Sequence, residues 1–394
     1  MSALQLTSPL AAPVYIGLMS GTSLDGVDGA LAAFPDDYGG GPVQTLASAY
    51  VPFPDELRAE MLALQTAGEN EIHREALLAN ILAGYYGRCV AELLAQAGLT
   101  PQQVAAIGVH GQTIRHRPEL GFTRQTNNPA LLAELSGIDV VADFRSRDIA
   151  AGGQGAPLVP AFHQAVFSAP DTIRVVANIG GISNISVLPP RDERDGGTMK
   201  VSGFDTGPGN VLMDAWIGKH LGQAYDRNGD WAAGGTVLPA LLEILRSESF
   251  FNLPPPKSTG RDLFHLDWLL DQLAKAAFKD TPAHARDVQT TLAAFTATTL
   301  ADAIARYAPG AATVHVCGGG ACNHHLMRQL QDALDRCQAG ISVDTTAALG
   351  MPPNHVESLA FAWLAQRFCL RRAGNLPAVT GARGERILGA LYPA

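Results

Sequence analysis

The opening of the chain alternates between apolar runs and a polar, glycine-rich turn. An apolar run over Val14–Met19 leads into small and polar residues, and a second apolar run follows over Ala30–Phe34. This order predicts a strand, a turn and another strand. Glycine lets the backbone approach a ligand closely, and the N–H groups of such a turn can face an anion. The turn is therefore a candidate phosphate loop, with an ordinary hairpin loop as the alternative.

The polar residues of this turn suit a phosphate ligand. Thr22 and Ser23 supply hydroxyl donors, and Asp25 and Asp28 supply carboxylates. Carboxylates are ligands that Mg²⁺ takes in proteins, and such a cation would neutralise phosphate charge. The common phosphate loops run from a strand into a helix. A phosphate loop between two strands therefore indicates a different class of ATP enzyme.

Strands and helices alternate through the rest of the first half. The pattern predicts strands over 47–53, 105–114 and 139–144, and helices over 55–65, 71–97 and 129–136. Asp55 and Glu71 lie at the starts of their helices, where the helix dipole favours acids. Such alternation is typical of an α/β domain with a central sheet.

The same plan begins again at Thr172. Residues 172–179 are apolar and rich in β-formers, Gly180–Asn184 is a small polar turn, and 185–188 is a predicted strand. This similarity to the opening hairpin indicates an internal duplication. Further strands are predicted over 200–205, 313–317 and 341–344, and helices over 210–221, 263–278, 287–307, 323–337 and 355–372. Two α/β halves with one such hairpin each predict a nucleotide held in a cleft between two domains.

Composition narrows the function classes. The chain has 394 residues, of which 47% are hydrophobic and 16% charged, and this predicts a globular protein with two domains. A formal net charge of -9 argues against a nucleic-acid or anionic-membrane partner. The first thirteen residues carry no Lys or Arg and do not read as a secretory signal, and the five scattered cysteines argue against a disulfide framework. We therefore expect a soluble, cytoplasmic protein.

Two polar segments of the first half follow predicted strands. His110–Thr113 is either a ligand cluster or a strand-end turn. Asp143–Asp148 is a charge cluster, and the glycine-rich segment Gly152–Pro157 follows it. Arg can clamp a carboxylate or phosphate with two hydrogen bonds. The alternative for the charge cluster is a solvated network of ion pairs.

Three features of the second half could also carry chemistry. Asp205 is predicted to end a buried strand beside a helix start, where it could act as a general base or merely cap the helix. Cys317–Asn323 is a strand–glycine–helix loop that could pass beneath an adenosine or phosphate group, although it lacks the lysine of a P-loop. Glu357 is a lone carboxylate on an apolar helix, either a ligand or a surface residue.

The order of these segments resembles the anhydro-N-acetylmuramic acid kinase family, a branch of the sugar kinase, heat-shock-protein-70 and actin superfamily. The resemblance extends from Val14 to Tyr392. It is carried by Gly17–Asp28, Gly108–Thr113, Asp143–Arg145, Ala150–Pro160, Asn178–Asn184, Phe204–Asn210, Cys317–Ala321 and Glu357–Trp363.

The resemblance implies a two-domain actin/hexokinase-like (ribonuclease H-like) α/β fold with an interdomain cleft. The implied domains are 14–140 with 360–394, an ATPase-type domain, and 141–359, which carries a helical insertion. The implied reaction converts 1,6-anhydro-N-acetylmuramic acid, ATP and water into N-acetylmuramic acid 6-phosphate and ADP, with Mg²⁺, in peptidoglycan recycling. The implied partner is this small sugar, with no nucleic acid and no membrane. The apolar C-terminal helix could support a homodimer or belong to the core.

The family motifs also imply residue roles. Asp205 is the implied base that deprotonates water. The implied nucleotide-binding residues are Gly21, Thr22, Ser23, Leu24, Asp25, Gly26, Val27, Asp28, Asn178, Gly180, Gly181, Gly207, Gly209, Asn210, Gly318, Gly319 and Gly320. The implied sugar-binding residues are Gln112, Thr113, Arg145 and Glu357, with Arg145 as counterion of the lactyl carboxylate.

The metal contact and the reaction leave alternatives. The superfamily's first hairpin usually begins Asp-x-Gly-Thr, but here Met19 precedes Ser20-Gly-Thr22. Asp25 is therefore the expected Mg²⁺ contact, directly or through water, with Asp28 as the alternative. A conventional sugar kinase of the same fold is the second candidate function. A non-catalytic, actin-like nucleotide-binding module is the third.

Overall fold

The computed structural model describes residues 12–21, 23–34, 43–191, 199–278, 282–338 and 340–394. The chain forms two compact units. The first unit comprises 1–156, 357–375 and 382–394, and the second comprises 157–356 and 376–381. The sequence predicted domains of 14–140 with 360–394 and of 141–359. These bounds stay a prediction.

The first unit is an α/β arrangement around a mixed sheet. Its first elements are β1 (Val14–Met19), β2 (Gly26–Ala33), β3 (Gln44–Pro52), α1 (Asp55–Ala63), α2 (Glu71–Ala97), β4 (Val104–Val109), β5 (Gln112–Arg117), β6 (Phe122–Thr126), α3 (Pro129–Ser136), β7 (Val140–Ala142) and α4 (Ser146–Ala150). β1 pairs antiparallel with β2 and parallel with β4, so the opening hairpin belongs to the centre of the sheet.

The second unit is built around a sheet of its own. Its elements are α5 (Val159–Phe167), β8 (Arg174–Ile179), β9 (Ile182–Leu188), β10 (Ser202–Pro208), α6 (Val211–Leu221), α7 (Pro239–Arg246), α8 (Leu266–Lys275), α9 (Pro282–Tyr307), β11 (Thr313–Cys317), α10 (His324–Cys337) and β12 (Ser342–Thr345). The chain then continues through α11 (Val356–Cys369), α12 (Pro377–Thr380) and β13 (Ala390–Tyr392). α11 begins at the boundary of the two units, and β13 returns to the sheet of the first.

The two sheets repeat one order of strands. The first sheet runs β13-β7-β4-β1-β2-β3, and the second runs β10-β9-β8-β11-β12. In chain order, each sheet begins with three antiparallel strands, which are β1–β3 in the first sheet and β8–β10 in the second. Two further strands then run parallel to the first of the three: β4 and β7 in the first sheet, and β11 and β12 in the second. The α/β fold with an internal duplication, predicted from the repeated hairpin, is confirmed.

Close packing of α11 explains two glycines of the first sheet. A β carbon at Gly17 would overlap the carbonyl oxygen of Ser358, and one at Gly108 would overlap that of Phe361. β1 is buried at all six positions, as expected for a central strand covered on both faces. The strand that carries the phosphate loop is therefore held directly beneath a helix.

The single strand predicted over 105–114 is wrong. The chain forms β4 and β5 instead, and these belong to different sheets. Gly111 takes φ +80° between them, a left-handed conformation that breaks a strand. The sequence prediction also omitted the helices α4, α5 and α12 and the strands β6 and β13.

None of the helices in the described ranges is long and apolar enough to cross a membrane.

Candidate active site

The turn between β1 and β2 is shorter than the segment 21–28 expected from the sequence. Gly26, Val27 and Asp28 belong to β2, and the Val27 side chain lies in the hydrophobic core. Leu24 takes φ 59° and donates its N–H to the carbonyl of Gly21 at 3.3 Å. Thr22, also predicted here, lies outside the described residues. A compact turn therefore joins the two strands, and its Leu24 side chain lies in the hydrophobic core.

Asp25 and Asp28 differ in their surroundings. Asp25 is exposed and accepts a hydrogen bond from the Ser23 hydroxyl at 2.5 Å. Asp28 lies partly buried in β2. Its burial, and then the carboxylates of Asp25 and Glu357, raise its pKa to about 7. Burial is thus the main cause of the rise, and the negative charges of Asp25 and Glu357 add to it.

These acids are suitable donors for a magnesium ion. In the described part of the chain, no three or more His, Cys, Asp or Glu side chains form a metal cluster of their own. Mg²⁺ commonly uses only one or two carboxylates, together with water and substrate phosphates. A cation beside Asp25 and Asp28 would also relieve the repulsion that raises the pKa of Asp28. The donor set therefore fits Mg²⁺.

Gln112 connects the predicted sugar residues to the phosphate turn. Its side-chain Nε2 donates to the carbonyl of Gly21 at 3.2 Å. Its Oε1 is buried and has no hydrogen-bond partner among the described residues. Thr113, the next residue on β5, accepts a hydrogen bond from Gln125 at 3.1 Å. Gln112 is thus fixed to the phosphate turn by its amide nitrogen, while its oxygen remains able to accept a hydrogen bond.

Arg145 is the second predicted sugar residue with a defined environment. It donates to the ring nitrogen Nε2 of His110 and, from Nη1, to the carbonyl of Gly155 at 2.8 Å. Burial lowers its pKa to about 10, while the carboxylates of Glu357 and Asp148 oppose that change. Glu357 therefore acts electrostatically on both Arg145 and Asp28. His110 was part of a predicted motif but received no role from the sequence.

Three glycine segments of the second unit lie close together, although they are far apart in the chain. The carbonyl of Gly180 accepts the N–H of Asn210 at 2.8 Å, and the carbonyl of Gly181 accepts that of Gly209 at 2.9 Å. Gly318 takes φ 79°, and a β carbon there would overlap Oδ1 of Asn178. The turn after β8, the loop after β10 and the loop after β11 are therefore packed backbone against backbone.

The remaining predicted glycines lie in the same cluster. Gly207 takes φ 131° beside the register shift of β10, and a β carbon there would touch the ring of Phe251. A β carbon at Gly319 would lie 3.7 Å from Nδ2 of Asn210. Gly320 packs against Ile179, the last residue of β8. A larger residue at Gly207 or Gly320 would therefore displace its neighbour, whereas the distance at Gly319 is an ordinary van der Waals contact.

Asp205 lies inside β10, and the N-cap position of the following helix, α6, is Asn210, five residues further along the chain. The alternative that Asp205 caps this helix is therefore wrong. Burial raises its pKa to about 7, and the N–H of Thr259 and the charge of Lys257 limit the rise. Thr259 donates to Oδ2 at 2.9 Å, and the carbonyl of Lys257 accepts the backbone N–H of Asp205 at 3.1 Å. The sequence carried no signal for Lys257 or Thr259.

Similarity to known proteins identifies the family of this chain. The family model described as "Anhydro-N-acetylmuramic acid kinase" matches residues 13–394. A protein of that name from Burkholderia orbicola (strain MC0-3) is 57% identical over 380 residues, which are 96% of each chain. One from Ralstonia nicotianae is 56% identical over 386 residues, 96% of this chain and 97% of the relative. One from Paraburkholderia xenovorans is 57% identical over 381 residues, 96% of this chain and 98% of the relative. The chain therefore belongs to the anhydro-N-acetylmuramic acid kinase family.

Proposed function

We propose that this protein hydrolyses the 1,6-anhydro bond of 1,6-anhydro-N-acetylmuramic acid and phosphorylates O6 with ATP, giving N-acetylmuramic acid 6-phosphate and ADP. The observation that carries the proposal is Asp205. Its pKa is raised to about 7, and one of its oxygens is held by the N–H of Thr259. A base whose pKa lies near the working pH combines the required ionised state with a useful affinity for a proton. A kinase that phosphorylates an open hydroxyl can also use such a base, so the product of the reaction decides between the two functions.

Asp205 is proposed to take a proton from water. The water oxygen forms a bond to the anomeric carbon, and the bond from that carbon to O6 breaks with its electron pair on O6. O6 then forms a bond to the γ-phosphorus, and ADP leaves. Hydrolysis of a glycoside normally also needs a general acid to protonate the leaving oxygen. The phosphoryl group takes the place of that proton, so one carboxylate is sufficient.

The glycine segments are proposed to hold the nucleotide. The turn after β1 would face its phosphates, and the cluster of Asn178, Gly180, Gly181, Gly207, Gly209, Asn210 and Gly318–Gly320 would hold the rest. Phosphoryl transfer requires mainly positioning and charge neutralisation, which backbone N–H groups and hydroxyls supply. Membership of a kinase family supports this assignment.

Asp25 is proposed to hold Mg²⁺, directly or through water, with Asp28 as the alternative. The ion would neutralise charge on the phosphate oxygens. Burial accounts for most of the raised pKa of Asp28, and a cation at this position would offset the smaller part that the charges of Asp25 and Glu357 add.

Arg145, Gln112, Thr113 and Glu357 are proposed to bind the sugar. The buried guanidinium of Arg145 suits the lactyl carboxylate, since such pairs form two parallel hydrogen bonds. We place the reaction in the cytoplasm, where ATP is available, as a step of peptidoglycan recycling. The interdomain cleft and the homodimer stay predictions.

Mass spectrometry of the product separates this function from the alternatives. We expect a product heavier than the anhydro-sugar by one phosphoryl group and one water, and reaction in oxygen-18 water should place the label at the anomeric carbon. An early quench, with unlabelled product incubated in the same water as control, corrects for exchange at that carbon. A product without the added water would indicate a conventional sugar kinase. Slow ATP hydrolysis that is insensitive to sugar would indicate a nucleotide-binding module.

A further inference from the structure

His110 holds one edge of the Arg145 guanidinium. Nε and Nη2 of Arg145 both lie 3.0 Å from the same ring nitrogen, Nε2 of His110. A guanidinium has N–H donors and no acceptor. Nε2 must therefore present its lone pair, which makes His110 neutral with its proton on Nδ1. Nδ1 is buried and has no hydrogen-bond partner among the described residues, so the contact with Arg145 carries the assignment of the tautomer.

The imidazole ring is fixed in place by its surroundings. The backbone N–H of His110 donates to the carbonyl of Leu18 on β1 at 3.0 Å. The ring packs against Phe361 of α11, with 4.8 Å between ring centroids, and the residue is only 5% exposed. Burial, and then the charge of Arg145, keep its pKa well below the ordinary value, which is consistent with a neutral ring.

The hydrogen bonds to His110 leave N–H groups of the Arg145 guanidinium available for a ligand. Nη1 donates to the carbonyl of Gly155 at 2.8 Å, and the N–H of Gly155 donates in turn to Asp148 at 2.8 Å. One N–H on each terminal nitrogen then has no hydrogen-bond partner among the described residues. A carboxylate binds two such N–H groups in parallel.

We propose that His110 is a positioning residue: its Nε2 lone pair orients Arg145 so that the terminal nitrogens receive the carboxylate of the sugar. The identity of that ligand rests on the proposed function, whereas the tautomer rests on the geometry. The competing account is that His110 only fills space beneath Phe361.

Kinetics with paired variants distinguish the two accounts. His110→Leu keeps an apolar side chain but removes the acceptor, and we expect the KM for the anhydro-sugar to rise about 10- to 100-fold. His110→Gln, which returns an acceptor oxygen, should recover most of this loss. The KM for ATP should change by less than about three-fold in both variants. His163→Leu, at another buried histidine, which is bonded to Ser186, is the matched control.

A double-mutant cycle tests the dependence on Arg145. In an Arg145→Met background, His110→Leu should change the KM for the sugar by less than about two-fold, since the group that it positions is gone. Equal losses from His110→Leu in both backgrounds, or a Gln variant as impaired as the Leu variant, would overturn the inference.

Nitrogen-15 NMR of the imidazole gives a readout that needs no turnover. We expect the Nδ1–H tautomer of His110 in the wild type at about pH 7, and a change of tautomer or exchange in Arg145→Met. An imidazolium or an Nε2–H tautomer in the wild type would overturn the inference. Failure of the wild type to phosphorylate the anhydro-sugar would instead refute the proposed function and leave this NMR result to decide the role of His110.

Discussion

The backbone N–H of Thr259 donates to Oδ2 of Asp205 at 2.9 Å. Among the described residues, the other oxygen, Oδ1, has no hydrogen-bond partner. One oxygen of the carboxylate is thus held by the backbone, and the other is left to accept a proton. A general base needs this combination of fixed orientation and an available lone pair.

Lys257 is predicted to set the pH range in which Asp205 works. Its positive charge lowers the pKa of Asp205, which burial has raised to about 7. Removal of the charge in Lys257→Met should therefore raise that pKa further, by roughly half a unit to one unit. The acidic limb of the kcat/KM profile should move to higher pH. Lys257→Arg keeps the charge and is the control; an unmoved limb in Lys257→Met would contradict the electrostatic role.

Asp28 is predicted to make stability depend on pH. Folding raises its pKa from 3.8 to about 7, so its contribution to stability is complete at low pH and is lost as the pH rises through 7. The amide of Asp28→Asn does not titrate, so the variant does not lose this stability as the pH rises. The difference in Tm, variant minus wild type, should be more positive at about pH 8 than at about pH 5. Mg²⁺ should narrow the difference at high pH, whereas a Tm difference independent of pH would contradict the burial of this acid.

The packing of α11 on β1 is tested at Gly17. A β carbon there would overlap backbone atoms of Ser358 and Ala362, which cannot move without shifting the helix. Gly17→Ala should lower the free energy of unfolding by about 2–3 kcal/mol in urea titration. Gly84→Ala on α2 is the matched control, since a β carbon there meets no atom within 4 Å. The control should gain about 0.5–1 kcal/mol, and equal effects in the two variants would contradict the close approach of α11.

The sequence predicted elements best where local chemistry marks their ends. β11 has the predicted bounds Thr313–Cys317, because Gly318 with φ 79° stops the strand. α2 has the predicted bounds Glu71–Ala97, because Gly98 caps its end in the left-handed conformation. The prediction of one strand over 105–114 was wrong because the chain turns at Gly111. The hydrophobic pattern alone does not distinguish a glycine in a turn from a glycine within a strand.

The candidate site was predictable only as separate segments. Asp205 and the glycine loops stand out by residue type, and their order indicates the family. Thr259 lies 54 residues beyond Asp205, so its hydrogen bond leaves no local pattern in the sequence. The contact between His110 and Arg145 spans 35 residues and depends equally on the fold. Such contacts are set by tertiary packing and appear only with coordinates.

Asp205→Asn tests the central claim most directly. The amide has the same shape as the carboxylate but does not accept a proton from water. With saturating Mg-ATP and the anhydro-sugar, the rate of product formation should fall at least about 100-fold, while the Kd for ATP stays within about two-fold of the wild-type value. Near-normal formation of N-acetylmuramic acid 6-phosphate by this variant would contradict the account.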